Sequence, residues 1–472
     1  MFKTKREQQI LYHFMNITPN TDKYLKMRDK FIFLSFESYT YSLKNNIFSV
    51  EFNFNLADKY SFHPTLTFPA RDFNKWKNAP EELIQNIVFH IGMVELISYW
   101  KAACPPKVII KPHILNAKQI AFWKKVYFNG LGEFFYLNNI NASIDDFMEI
   151  QADIGSELKK TDIMTDDSVI IPIGGGKDSV VTLELLKNFG KNNLPLIMNP
   201  RNASLETAQI GGYLRENIIE ISRSIHPQLL ELNKQGFLNG HTPFSALLAF
   251  VTLLSAVFTG KRNIALSNES SANEATVENT TVNHQYSKGY EFEHDFRTYV
   301  NTYITSSINY FSFLRPLSEL QIGSLFAKYP KYFASFKSCN VGSKTDIWCG
   351  NCPKCLFSFI ILSPFIKRKN MISIFGKDML NDESLRFYFE QLIGIENVKP
   401  FECVGTVDEV NVAINMIIKQ IPQNEMPLLL KYYQTLSYYA QYENINLHSF
   451  LNTFNDEHFL ETEFVKILKD KI

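Results

Sequence analysis

The stretch that most restricts the fold is residues 168–188, SVIIPIGGGKDSVVTLELLKN. Ser168 to Ile173 is a short apolar run, which predicts a buried parallel strand. Gly174, Gly175 and Gly176 follow, able to adopt backbone angles closed to other residues and to let a ligand approach the main chain. Lys177, Asp178 and Ser179 then lead into Val180, Leu183 and Leu186, which continue as a helix. A glycine turn feeding a helix N-terminus offers free N–H groups and the positive end of a dipole, a place for phosphate. A glycine turn without a ligand is the bland alternative, and the flanking strand and helix argue against it.

The P-loop pattern fails, because Ile171 stands where its first Gly belongs and Asp178 follows the Lys. The dinucleotide pattern fails at Ser179, where a third Gly is required. What fits is S-G-G-x-D-S with Gly174 in place of the first Ser. The segment resembles the PP-loop of the ATP pyrophosphatase (adenine nucleotide alpha hydrolase-like, or HUP-like) superfamily. The resemblance implies an open, mainly parallel sheet that binds ATP. Residues 174–179 would grip the β- and γ-phosphates, Asp178 would help hold Mg²⁺, and the α-phosphate would be left open to attack. The implied chemistry is AMP transfer with loss of pyrophosphate. Gly174 removes a hydroxyl from that cradle.

Around this unit the chain of 472 residues has room for more than one domain. A hydrophobic share of 45% and an aromatic share of 14% predict a globular protein. Lys+Arg and Asp+Glu are both 48, so no broad basic field is available for a long nucleic acid, although a local patch is compatible with this balance. The first residues, MFKTKREQQI, contain no apolar core of a signal peptide. The most apolar stretch, 243–258, is shorter than a membrane span and carries Ser245, Thr252 and Ser255, which predicts a buried helix. These readings predict a cytoplasmic protein without a membrane partner.

Residues 1–160 read as an N-terminal α+β domain. Phe48, Val50, Phe52, Phe54 and Leu56 alternate with polar residues, as in a strand with one wet face, and 31–42 is its expected neighbour. Pro80 opens a helix with Leu83, Ile87, Ile91 and Val94 on one stripe. His90 and Glu95 lie on or near that stripe and read as satisfied buried polar groups. Val108 to Ile110 predicts another strand.

Residues 161–370 alternate strand and helix, the pattern of an open parallel sheet. Strands are expected at 168–173, 194–198, 218–222, 264–266 and 310–314, with Thr242 capping the helix that Pro243 opens. Ligands sit at the carboxyl ends of such strands. Asn268 and Glu269 fall at one such end and are candidates for Mg²⁺ or phosphate; a solvated turn explains each alone equally well. Residues 283–293, NHQYSKGYEFE, form a polar and aromatic loop, read as a lid rather than plain surface. Its Lys288 can meet pyrophosphate as a point charge. Residues 371–472 read as a helical C-terminal cap, with helices at 426–440 and 450–468.

Cys339, Cys349, Cys352 and Cys355 stand as C-x9-C-x2-C-x2-C. Four thiolates suit tetrahedral Zn²⁺ and leave no open position, so the metal is structural; an iron–sulfur cluster is the competitor. Lys337, Lys344 and Lys354 would offset its negative charge. A similar cysteine spacing, with the Arg315-Pro316-Leu317 segment before it, occurs in 7-cyano-7-deazaguanine synthase.

The chain as a whole resembles the UDP-N-acetylmuramoyl-L-alanyl-L-glutamate epimerases of cell-wall synthesis. The carrying segments are HIGMVELISYWKAAC (90–104), 173–179, 267–273, 283–293, WCGNCPKCL (348–356) and KPFECVGTVDE (399–409). The resemblance implies that ATP converts the terminal L-glutamate carboxylate into an acyl-adenylate. That cancels the charge opposing Cα deprotonation and allows inversion to D-glutamate, with release of AMP and pyrophosphate. The implied substrate is the UDP-muramoyl dipeptide. For the proton transfer, Cys403 is one expected carrier, because Thr406 and Glu409 cap a helix just after it. His284 is the rival base. Cys104 reads as a separate core thiol. A ligase or amidating enzyme that adenylates another carboxylate is the alternative. An RNA-modifying enzyme and a nucleotide sensor without catalysis fit less well.

Overall fold

The computed structural model describes residues 21–69, 79–190, 192–443, 445 and 450–472. The first ten residues, read above for a signal peptide, lie outside the described residues. The strands are β1 (Phe33–Lys44), β2 (Ile47–Leu56), β3 (Tyr60–Phe62), β4 (Thr65–Pro69), β5 (Lys107–Ile110), β6 (Glu149–Gln151), β7 (Asp166–Pro172), β8 (Leu194–Met198), β9 (Ile219–Ser224), β10 (Lys261–Leu266) and β11 (Asn309–Ser312). They form one 11-stranded sheet in the order β11-β10-β7-β8-β9-β4-β2-β1-β5-β6, with β3 paired to β2.

Its β7–β11 half is parallel throughout, with β7 between β8 and β10. The chain leaves β7 toward β8 on one side and later returns to lay β10 on the other. The strand order therefore reverses between β7 and β10, and the carboxyl ends of strands at such a point are where open parallel sheets bind ligands. The antiparallel pairing of β4 with β9, Leu66 opposite Arg223, joins this half to the N-terminal strands. The position expected to divide the first two domains, residue 160, falls between β6 and β7 of this sheet.

Alternation along the strands divides the apolar residues into two cores. On β7, Ile170 faces one and Val169 and Ile171 the other. The first core holds the Glu81–Trp100 and Phe244–Thr259 helices and the buried face of β2, from Phe48 to Leu56. Glu81–Trp100 is long and apolar enough to cross a bilayer by length and composition, and 94% of its most apolar 18-residue window is buried inside the fold. His90 within it is fully buried and satisfied, with Nδ1 2.7 Å from the Asn86 carbonyl and Nε2 2.8 Å from Tyr299 Oη. Glu95 is paired with Arg223 through two bonds of 2.8 Å. The second core holds the Lys177–Leu186, Glu319–Ala327, Pro353–Leu362 and Val407–Ile418 helices.

Some boundaries differ from expectation. Pro243, not Thr242, immediately precedes the first helical residue, and no side chain caps that end. The expected 426–440 helix is broken into Leu428–Tyr433 and Ser437–Tyr442. The expected 450–468 helix is interrupted: residues 450 and 451 are helical, 453–461 are not, and Thr462–Lys469 is helical again. The reason is tertiary: Gln321 Nε2 donates to the carbonyls of Leu451 and Thr453, each at 2.8 Å, and Asn455 N donates to Pro316 O. Carbonyls held by another element are diverted from the local helical ladder.

Candidate functional site

The glycine turn begins where β7 ends. Gly175 has φ 85°, and a Cβ there would lie 3.0 Å from Ser204 N, so both backbone angle and space require glycine. Gly176 is the residue before the Lys177–Leu186 helix, and no side chain caps that end. The first-turn N–H groups are left for an anion. Ser179 Oγ donates to Gly176 O at 2.8 Å, and Arg201 Nη2 to Gly174 O at 3.2 Å.

Lys177 turns inward and pairs with both Asp178 and Glu319. Burial raises the pKa of each carboxyl; the Lys177 charge, helped by Lys354, holds Asp178 ionised, while Glu319, facing Asp178 and Glu269, is pushed upward. Glu319 opens the helix that Ser318 and Gln321 cap reciprocally. Its N–H donates to Glu409 Oε1 at 2.6 Å, and Glu409 closes a capping box with Thr406. A chain of contacts thus runs from the glycine turn to the C-terminal helices.

At the end of β10, Asn268 Nδ2 donates to Ser312 Oγ at 3.0 Å, and Glu269 is buried. The fully buried Arg315 organises this edge. It donates to Glu269 O at 2.6 Å, to Glu293 Oε2 at 3.3 Å and to Lys288 O. An open cleft of about 470 Å³ adjoins it, lined by Ser270, Ser318, Gln321 and tail segment 453–457.

The 283–293 segment is not plain surface. Gln285 to Ser287 are buried, and Gln285 Nε2 reaches Val404 O at 3.3 Å. Lys288 Nζ donates to Cys403 Sγ at 2.9 Å, and His284 lies near enough to Cys403 for the two to shift each other's protonation. Lys354 Nζ binds the Cys403 carbonyl, a role its place inside the cysteine motif did not suggest. Burial alone would raise the Cys403 pKa, but Lys288, His284 and Lys354 bring it down to about 5. Burial likewise works against a charged His284, and Cys403 and Glu133 overcome it, raising its pKa to about 9. The pair is a thiolate and an imidazolium near neutrality.

Glu133 Oε2 lies 2.5 Å from His284 Nδ1 and 3.7 Å from His241 Nδ1. The ligand atoms of these three residues lie within 4.8 Å of one another, so in principle they can hold an ion. Two ligands of a tetrahedral ion at 2.0–2.1 Å stand roughly 3.3 Å apart, so the short Glu133–His284 contact is that of a hydrogen bond. Cys104, by contrast, is fully buried, and burial pushes its thiol pKa well up. The four clustered cysteines approach one another at 3.4 to 3.7 Å between sulfurs and can hold a metal.

The structure brings Asp178, Glu269, Lys288, His284 and Cys403 into one electrostatic neighbourhood. Sequence reasoning missed Glu133, His241 and Glu319. Glu319 had a signal, its place one residue after the Ser318 cap. Glu133 and His241 had none, because the first lies in the short Gly132–Leu137 helix and the second in the stretch before Pro243, both far in sequence from His284.

Models of the MurL N-terminal domain and MurL C-terminal domain match residues 26–313 and 335–446. The chain belongs to the MurL epimerase family. It is therefore an isomerase, an epimerase by class. Its relatives include the UDP-N-acetyl-alpha-D-muramoyl-L-alanyl-L-glutamate epimerase of Xanthomonas oryzae pv. oryzae, 33% identical over 72% of this chain and 76% of that protein. The enzymes of the same name from Micromonospora sp. and Salinispora tropica are each 34% identical, over 72% and 71% of this chain and 76% and 73% of theirs. No solved structure matches it. In MurL terms, Cys403 belongs to the C-terminal domain, and His284 and Lys288 to the N-terminal one.

Proposed function

We propose that this MurL protein inverts the terminal L-glutamate of UDP-N-acetylmuramoyl-L-alanyl-L-glutamate in peptidoglycan precursor synthesis in the cytoplasm, consuming ATP. The observation that carries the reading is the 2.9 Å contact of Lys288 Nζ with Cys403 Sγ, beside His284 and near Asp178 at the carboxyl edge of the sheet. The glycine turn is read as a PP-loop: its uncapped helix start and its need for glycine suit the outer phosphates of ATP. Asp178 and Glu269 would hold Mg²⁺, which offsets phosphate charge when bound.

The substrate's α-carboxylate opposes loss of the neighbouring Cα proton, because the resulting carbanion would stand beside an existing charge. Transfer of AMP to that carboxylate cancels the charge, and pyrophosphate leaves. Lys288 offers a fixed cation near the developing oxyanion. Cys403 and His284 are placed to move protons at Cα. Water then releases AMP and the D-glutamyl product.

The four-cysteine site fits structural Zn²⁺. Sulfurs at 2.3 Å from a tetrahedral ion stand roughly 3.8 Å apart, and the contacts here are 3.4 to 3.7 Å. A closed shell of thiolates would fix the chain after β11 and orient Lys354 toward Cys403.

The test is incubation of the purified protein with ATP, Mg²⁺ and the UDP-dipeptide, followed by chiral analysis of glutamate and assay of AMP. D-Glutamate with AMP and no added group is expected. A new amide or ester on the substrate would favour a ligase, and ADP with orthophosphate would remove the PP-loop reading.

A further inference from the structure

We propose that Cys403 acts as a covalent nucleophile, carrying the substrate as a thioester after adenylation, with His284 and Glu133 completing a Cys–His–Glu triad. This rests on the carboxylate-activation reading above.

The geometry is that of an activated nucleophile: thiol, imidazole and an orienting carboxylate in sequence. His284 lies beside Cys403, near enough for each to shift the other's protonation, and its Nδ1 meets Glu133 Oε2 at 2.5 Å. The three residues come from separate parts of the chain, so no local motif requires them to meet. Lys288 Nζ at 2.9 Å and Lys354 on the Cys403 carbonyl fix the thiol from the remaining directions. Neither contact is needed to pack a core cysteine, as Cys104 illustrates: among the described residues its sulfur hydrogen-bonds the Lys101 carbonyl, at 3.5 Å, and no charged side chain. A lowered thiol pKa accompanies the arrangement and follows from it.

The chemistry balances. Cys403 Sγ⁻ attacks the carbonyl carbon of the acyl-adenylate; the S–C bond forms, the C–O bond to phosphate breaks, and AMP leaves with the electron pair. Acylation removes the thiolate that helped keep His284 protonated, and His284 gives up that proton to solvent. The thioester has no carboxylate charge, so neutral His284 takes its Cα proton, solvent water returns one to the opposite face, and His284 passes its own to solvent, with no net change. His284 then takes a proton from water. The hydroxide adds to the thioester carbon, the S–C bond breaks, and the thiolate leaves with its electron pair. Covalent capture would keep the activated substrate through inversion, where a free adenylate is open to early hydrolysis.

Full-length protein with ATP, Mg²⁺ and the UDP-dipeptide is quenched in acid within milliseconds to seconds and analysed by peptide mass spectrometry. The expected result is substrate mass minus water on the Cys403 peptide, removed by hydroxylamine and absent from Cys403→Ala. Cys403→Ala is then given the N-acetylcysteamine thioester of the substrate's α-carboxyl in D₂O, and deuterium at Cα is expected. ATP–pyrophosphate exchange by this variant reports that it is folded; should it be lost, Cys403→Ser takes its place in the rescue. Absence of either the wild-type adduct or the rescue overturns the thioester and leaves Cys403 as a proton carrier. Absence of substrate-dependent pyrophosphate exchange in the wild type is a different failure: it overturns carboxylate activation and the thioester together.

Discussion

Lys288 Nζ donates to Cys403 Sγ at 2.9 Å, across 115 residues of sequence. An ammonium at this distance stabilises thiolate over thiol, and it leads the influences that bring Cys403 down to about 5 against the effect of burial. Replacing it with an uncharged chain of similar length should return the thiol toward neutrality. Lys288→Met is expected to slow iodoacetamide alkylation of Cys403 at pH 7 by on the order of tenfold. Peptide mapping reads the rate at that one cysteine, and an unchanged rate would show that Lys288 does not set its charge.

The same pair sets a pH window for turnover. Cys403 is a thiolate above about 5, and His284 an imidazolium below about 9. Lowering pH through the first value protonates the sulfur; raising it through the second discharges the imidazole. Lys288, Lys354, Glu133 and His241 also face the pair. The kcat/KM profile is expected to be flat between those values and to fall on both sides. In Glu133→Gln the alkaline limb should move to lower pH, because the carboxylate that helps hold the imidazolium is gone.

How far the site could be read from the chain depends on how local each signal is. The glycine turn, the Thr406–Glu409 and Ser318–Gln321 caps and the cysteine spacing are decided by neighbours in sequence, and the structure contains each of them. The strands at 194–198 and 47–56 were legible because alternation or apolar length marks them directly. The joining of β4 to β9 was not, since nothing local tells a strand which distant edge it will meet. Glu133 and His241 were hidden for the same reason: neither carries a motif, and only the fold brings them to His284. The tail was misread where Gln321 diverts its backbone carbonyls.

The four-cysteine site should bind one Zn²⁺ per chain, measurable by elemental analysis. Structural zinc in small peptides is worth about 10–16 kcal/mol at neutral pH. Stripping the metal, or Cys352→Ser, is therefore expected to unfold the Pro353–Leu362 region, which Cys352 caps by accepting from Cys355 N. Lys354 would lose its hold on the Cys403 carbonyl, so alkylation of Cys403 should change along with limited proteolysis. Full resistance to proteolysis after metal removal would contradict a structural role.

Glu95 and Arg223 form a largely buried ion pair that ties the Glu81–Trp100 helix to the end of β9. Ser98 Oγ accepts a further bond from Arg223 at 3.2 Å. Removing one partner leaves the other charge buried, which costs about 3–5 kcal/mol. Glu95→Ala is expected to lower the urea midpoint accordingly, while the double variant Glu95→Leu with Arg223→Met should recover most of the loss. Equal destabilisation by single and double variants would mean that the residues act by packing alone.

Adjacent glycines of the turn should respond in opposite ways. No atom stands within 4 Å of a Cβ built at Gly174, and its φ is not in the left-handed region. Gly174→Ser should fold with its stability within about 0.5 kcal/mol of wild type. It also restores the hydroxyl that the superfamily pattern carries there, so KM for ATP should stay equal or fall. Gly175 is different: φ is 85°, and a Cβ would press on Ser204 N at 3.0 Å and the Ala203 carbonyl carbon at 3.1 Å. Those are backbone atoms, which cannot swing aside. A left-handed non-glycine residue costs roughly 1–2 kcal/mol before any crowding. Gly175→Ala is therefore expected to distort the turn, lowering the melting temperature and raising KM for ATP well above that of Gly174→Ser. ATP–pyrophosphate exchange on both variants, measured beside thermal melts, separates lost phosphate binding from lost fold. Equal KM values for the two would mean that phosphates do not sit in the turn.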